Sequence, residues 1–192
     1  MDIDLYRGRL FEGEAPTMSE MGAPPAEKAA AGRANPVGIP YLYLAYSRET
    51  CLYEARATTL SKLAVGRFQP TRQLSVLNLA DIEPPDFFSL FEVESIEAQI
   101  SRAAYHRYLT SLGEELRKPI RSSDRLTDYI PTQYLCEMAK SIGLDGVLYS
   151  SSLDPAGRNL VLFDVQSCEC VAEPEIIEVT AVSLNWHMVP SL

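Results

Sequence analysis

GRANPVGIPYLYLAYSRETCLYE, residues 32–54, decides the architecture: a Gly-Arg pair and a proline-broken turn lead into a short tyrosine-rich strand and then into a helix. Arg33 follows Gly32 and precedes Asn35-Pro36, which predicts a rigid, exposed turn rather than a helix interior. A guanidinium there offers a planar fork of donors suited to phosphate oxygens, although an ordinary surface arginine also fits. Along residues 41–46 the two-residue period of a strand puts Tyr41, Tyr43 and Ala45 on one face and Leu42, Leu44 and Tyr46 on the other. Core packing accounts for such a tyrosine pair as readily as ligand contact does.

Ser47 reads as a helix N-cap, with Arg48, Glu49 and Thr50 as the first turn and helix formers to about residue 57. Cys51, Leu52 and Ala55 make its apolar arc, and Glu54 falls at the edge of that arc, where an acid reaches either a cleft or a surface partner such as Arg48 or Arg56.

Before this stretch, residues 5–10 predict a first strand with Arg7 and Arg9 on one face and Tyr6 on the other. Residues 11–31 have little periodicity, and Gly22-Ala23-Pro24-Pro25 marks a loop able to fold over a site. Beyond the helix, residues 63–68 and 74–79 read as strands separated by Pro70-Thr71. Residues 81–97 carry acids and no basic residue, interleaved with apolar side chains, and predict an acidic amphipathic helix from about residue 87 toward 109. That helix either packs on the body or docks a basic partner. Residues 116–127 read as a mobile basic connection interrupted by Lys118-Pro119.

Tyr129-Ile130-Pro131-Thr132-Gln133 opens a further helix with proline in its first turn. Gly143 closes it after Ile142, and Leu135, Met138, Ala139 and Ile142 are its expected buried stripe. Asp145-Gly146 turns into a strand at 147–150, so that Ser151 ends a strand at a loop; another strand is expected at 159–165 and a terminal one at 176–186.

The chain has 192 residues, 46% hydrophobic and 22% charged, and fits one globular domain, residues 1–192. No apolar run approaches the ~20 residues that span a bilayer, and the acidic start lacks the basic and apolar regions of a signal peptide, so the sequence reads as cytoplasmic. A net charge of −9 argues against direct nucleic-acid binding, which needs a positive field; a small dinucleotide needs only local arginines. Cys51, Cys136, Cys168 and Cys170 lack zinc spacing and read as reduced, mostly buried thiols, with no metal site. His106 and His187, the only histidines, have no motif around them, which weakens a Ser-His-Asp hydrolase.

Taken in order, LYRGR at 5–9, GRANPVGIPYLYLA at 32–45 with the helix residues 50–54, YIPTQ at 129–133 and LDGVLYSSSLDPAGRNLVLFD at 144–164 resemble the RES domain family, named for an arginine, a glutamate and a serine. The resemblance implies an α+β fold with a mixed, mostly antiparallel sheet and flanking helices, similar to the ADP-ribosyltransferases. It implies an NAD-degrading toxin, often paired with a helix-turn-helix (Xre-type) antitoxin, that cleaves the nicotinamide–ribose bond with water or inorganic phosphate as acceptor. NAD is then substrate and no cofactor is needed. Carried over by position, Arg33, Glu54 and Ser151 or Ser152 are the three namesake residues; counting from Asp145-Gly146 favours Ser151. Arg7, Tyr43 and Asn159 match further family positions; Tyr129, just before its helix, sits where a ring either packs in the core or meets a ligand. Transfer of ADP-ribose to a protein, a non-enzymatic nucleotide- or partner-binding module, and self-association all stay open.

Overall fold

The computed structural model describes residues 3–82, 96–118, 125–183 and 188. Its strands are β1 (Leu5–Leu10), β2 (Leu42–Ala45), β3 (Lys62–Pro70), β4 (Val76–Asn78), β5 (Gly146–Ser150), β6 (Arg158–Leu162), β7 (Cys168–Cys170) and β8 (Glu175–Glu178). Three α-helices accompany them among the described residues: α1 (Arg48–Glu54), α2 (Ile96–Arg117) and α3 (Ile130–Ser141). One sheet runs β4-β5-β6-β2-β1-β3-β7, and β8 also pairs with β3. Since β1 holds one edge of β3, β7 and β8 share the other, β7 along Phe68–Pro70 and β8 along Lys62–Val65. Every pairing is antiparallel except β4 with β5. The fold is therefore α+β with a mixed, mostly antiparallel sheet.

Strand alternation sorts the core onto the two faces. Leu42, Leu44, Leu160 and Leu162 pack with Leu5, Ala64 and Phe68 on one side. Tyr41, Val147, Val161 and Phe163 pack on the other against Leu112 and Leu116 of α2 and Leu135, Cys136 and Ala139 of α3. A smaller cluster of Ala45, Cys51, Leu63 and Val65 seats α1. Each fully buried leucine contributes about 1.5–3 kcal/mol.

Several elements differ from the sequence expectation, each for a local reason. Helix α1 stops at Glu54 rather than near residue 57 because Arg56 takes φ +51°, and its N–H returns to Tyr53 O. The stripe expected on α3 is rotated: Thr132, Leu135, Cys136 and Ala139 are buried, whereas Met138 and Ile142 face outward. Strand β6 spans Arg158–Leu162 instead of 159–165, since Asp164 accepts from Gln166 N and starts a 3-10 turn. Strand β4 is shorter than 74–79, and the 168–170 strand was not foreseen. Strand β8 ends at Glu178, short of the expected 186, and residues 184–187 lie outside the described residues. Helix α2 continues to Arg117, taking in the start of the expected connection. The acidic residues 83–95 and the connection at 119–124 lie outside the described residues.

Asp145 ties β4, β5 and β6 together. Its carboxylate accepts from Arg72 Nη2 and from Ser75 N, each at 2.7 Å, and its carbonyl accepts from Phe163 N at 3.0 Å. The Arg72 hydrogen bond, followed by that of Ser75, holds the Asp145 carboxyl below its ordinary 3.8. A depressed folded-state pKa contributes stability above the unfolded value, and that stability disappears as pH falls through the folded one. Asp145→Asn is therefore expected to lower stability by about 1–2 kcal/mol at pH 7. Urea titrations of both proteins at pH 7 and pH 3 should show the difference shrinking at the lower pH; an unchanged midpoint at pH 7 would refute the role.

Candidate functional site

Strands β1 and β2 pair in register only at Tyr6 opposite Ala45. Beside that junction lies a cleft of about 550 Å³, lined among others by Arg7, Arg33, Tyr43, Glu54, Ser152 and Asn159. That volume is in the usual range for small-molecule sites.

Arg33 enters from a turn fixed on every side. Gly32 N donates to Asn35 O at 2.9 Å. The buried Asn35 amide shares its N–H groups among Ala30 O, Pro36 O and Ile39 O, and its Oδ1 accepts from Tyr43 OH at 2.6 Å. From α3, Gln133 Nε2 donates to Gly32 O and Asn35 O, and Thr132 Oγ1 to Arg33 O at 2.5 Å. Only glycine fits at position 32, where a Cβ would lie 2.8 Å from Asn35 Oδ1 and 2.9 Å from Tyr43 OH. The Arg33 guanidinium donates from Nε to Lys118 O at 2.6 Å and lies 5.1 Å from the centroid of the buried Tyr129 ring. Tyr129 thus backs Arg33 and does not line the cleft.

Glu54 comes from the last residue of α1, whose start is capped by Ser47 Oγ accepting from Thr50 N at 3.0 Å. Its Oε1 accepts from Ser151 Oγ and from Asn159 Nδ2, both at 2.7 Å. The Ser151 hydroxyl is buried, and its oxygen accepts from Leu153 N and Asp154 N at 3.1 Å. Thr50 Oγ1 donates to Asp154 Oδ2 at 2.6 Å, which clasps the 151–157 loop onto α1. Gly157 permits that contact, because a Cβ there would stand 2.7 Å from both Thr50 and Asp154. Ser151 accordingly holds Glu54 from below, while the exposed Ser152 lines the cleft.

Arg7 lines the cleft, and its buried Nη1 has no hydrogen-bond partner among the described residues. Burial, then the charge of Arg9, lowers the pKa of its guanidinium. Arg9 itself turns away to Glu20 O at 2.6 Å. The 11–31 loop does not close over the site as a whole: Met21 is buried in the core with Leu5 and Phe68, and Ala30 is the part that reaches the cleft.

A profile of the RES domain matches residues 5–187. The chain belongs to the RES domain family. A solved structure similar to it is the M. tuberculosis MbcT-MbcA toxin-antitoxin complex, at 16% identity and a TM-score of 0.49, covering 94% of this chain and 85% of that one. No curated protein sequence matches.

This RES domain brings Arg7, Arg33, Tyr43, Glu54, Ser152 and Asn159 to one cleft and sets Ser151 directly behind Glu54. Sequence reasoning missed Arg56, Arg117, Lys118, Cys51 and Tyr149, which also line it. Tyr149 was legible, since strand alternation puts it on the face of Val147. Its phenol makes no hydrogen bond to a described residue, and burial, first of all, pushes its pKa far up. Arg117 and Lys118 were obscured because the end of α2 read as a loose connection; they pair with Glu114 and Glu115 respectively.

The arrangement can bind an anion and hold a carboxylate against a positive centre, and among the described residues it provides no activated hydroxyl or thiol. The Ser151 proton is committed to Glu54. Burial pushes the Cys51 thiol up to about 12, which leaves almost no thiolate at neutral pH. Cys136, at about 12, and Cys168, at about 11, are equally suppressed. Treating the native protein with iodoacetamide at pH 8 should modify the half-buried Cys170 before the other three, as read by peptide mass spectrometry. Rapid labelling of Cys51 would instead mark it as an activated thiol.

Proposed function

We propose that this RES domain is the toxin of a toxin–antitoxin pair and cleaves the nicotinamide–ribose bond of NAD. The observation that carries the reading is the Glu54 carboxylate, held through Oε1 by Ser151 and Asn159 in a cleft whose other charged lining, among the described residues, is basic. Among the described residues Oε2 accepts no hydrogen bond, so this oxygen is available to a ligand.

Nicotinamide leaves as a neutral base from a cationic ring, taking both electrons of the C1′–N bond, and needs no proton from the enzyme. What remains is to orient the dinucleotide and stabilise the oxocarbenium-like charge on the ribose. Glu54 meets that charge and the ribose hydroxyls; Ser151 and Asn159 keep the carboxylate in place. Arg7 and Arg33 hold the pyrophosphate, and Tyr43 packs on nicotinamide or ribose. A water oxygen then bonds to C1′ and releases a proton, giving ADP-ribose; inorganic phosphate in its place gives a phosphorylated ADP-ribose. Membership in the RES family supports an antitoxin partner, and the Xre type follows from the resemblance alone.

Incubating the purified chain, freed of any bound inhibitor, with NAD with and without phosphate, and following nicotinamide and the ribose product by chromatography, tests the reading. Glu54→Gln should lower turnover by about 10²–10³-fold while the circular-dichroism melt is kept. Gly32→Ala should also reduce turnover, through displacement of the Arg33 turn. Intact NAD after incubation with folded wild-type protein would overturn the proposal, and ADP-ribose found on protein side chains would move the reaction to transfer.

A further inference from the structure

Helix α3 uses one arc, Thr132, Leu135, Cys136 and Ala139, to cover the sheet. Its outer arc is apolar as well: Ile130 is 57% exposed, Tyr134 69%, Met138 42% and Ile142 71%. These four stand four residues apart, with exposed Pro131 and Ser141 beside them, so that one uncharged ridge runs the length of the helix. The nearest charges on its flank are already engaged with the body: Glu137 Oε1 accepts from Tyr41 OH at 2.7 Å, and Lys140 Nζ lies 5.5 Å from the Tyr41 ring centroid.

We propose that this ridge is a homodimer interface, packed against the same ridge of a second copy. The spacing is self-complementary. About a two-fold axis near position 136, Ile130 meets Ile142 and Tyr134 meets Met138, so each aromatic or branched side chain finds an apolar partner in both directions. Ridges of the four-residue type interdigitate at a crossing of about 50°, which concentrates contact on Tyr134 and Met138. Absence of charge along the ridge favours an identical partner over a strongly charged one, which would find nothing to pair with. The four side chains expose on the order of 500 Å² per copy, so two ridges bury at most roughly 1,000 Å², the lower bound for specific association. An interface of that size is expected to be reversible.

Sedimentation equilibrium of the full chain from about 1 to 300 µM should fit a monomer–dimer equilibrium. Met138→Glu and, separately, Tyr134→Glu should each raise the dissociation constant at least about 30-fold with the thermal melt unchanged. Ile176→Glu, at an exposed position on β8, should leave it as it was. A wild-type monomer throughout the range, or a dimer indifferent to both α3 variants, would overturn the proposal. So would α3 amides that gain hydrogen-exchange protection only when a different chain binds to a monomer; that face would then belong to a hetero-partner.

Discussion

The site depends on one carboxylate being held from two directions. Glu54 Oε1 receives Ser151 Oγ, 97 residues away, and Asn159 Nδ2, 105 residues away. The contact thus joins the end of α1 to the loop after β5 and to β6, and all three must be in register before the oxygen is satisfied. Two donors on one oxygen fix the carboxylate plane and leave the second oxygen directed by geometry rather than by rotation. The Thr50–Asp154 bond and the close approach of Gly157 stiffen the same junction from the far side, so the position of Glu54 is set by backbone packing and not by its own rotamer. Such support by surrounding hydrogen bonds is what holds a functional group within the tolerance that chemistry requires.

A second device does the same for Arg33. Asn35 acts as the hub: its amide ties three carbonyls of its own segment, and its Oδ1 takes the Tyr43 hydroxyl from β2. Gln133 and Thr132 then attach the segment to α3. Buried polar networks are costly unless every member is bonded, and here the bonding satisfies carbonyls that a non-repetitive segment would otherwise bury unpaired. Helix α3 therefore acts on the cleft through its inner face while its outer ridge stays apolar.

What the sequence disclosed follows from range. The Gly-Arg-Ala-Asn-Pro turn, the Ser47 cap and the β2 alternation are local, and local chemistry settles each of them. The α3 stripe misled because the helix carries two apolar arcs. The wheel alone ranks Met138 and Ile142 with Leu135 and Ala139; the sheet, through Thr132 and Cys136, chooses the other side. Gln133 gave no sign of its bond to Gly32, since the pairing exists only once the chain has closed over 101 residues. Arg117 and Lys118 are of the same kind: their approach to the cleft depends on the length of α2, which neither charge nor propensity around Lys118-Pro119 announces.

Charge shows how the cleft and the body divide the work. A chain of net charge −9 repels polyanions at a distance, yet among the described residues Arg7, Arg33, Arg56, Arg117 and Lys118 line one cleft whose one acid is Glu54, with Arg117 and Lys118 paired to Glu114 and Glu115 beside it. Screening limits the repulsion of the body to roughly 8–10 Å at physiological salt, whereas a buried cation acts at contact and is screened far less. Arg7 makes the point sharply. Burial disfavours its charge and Arg9 adds to that, against smaller offsets from Cys51 and Tyr43, and among the described residues Nη1 has no hydrogen-bond partner. Under the proposed reading, a long nucleic acid would have to bring many phosphates past an acidic surface, whereas a compact phosphate-bearing ligand would set its charge beside the arginines of the cleft alone.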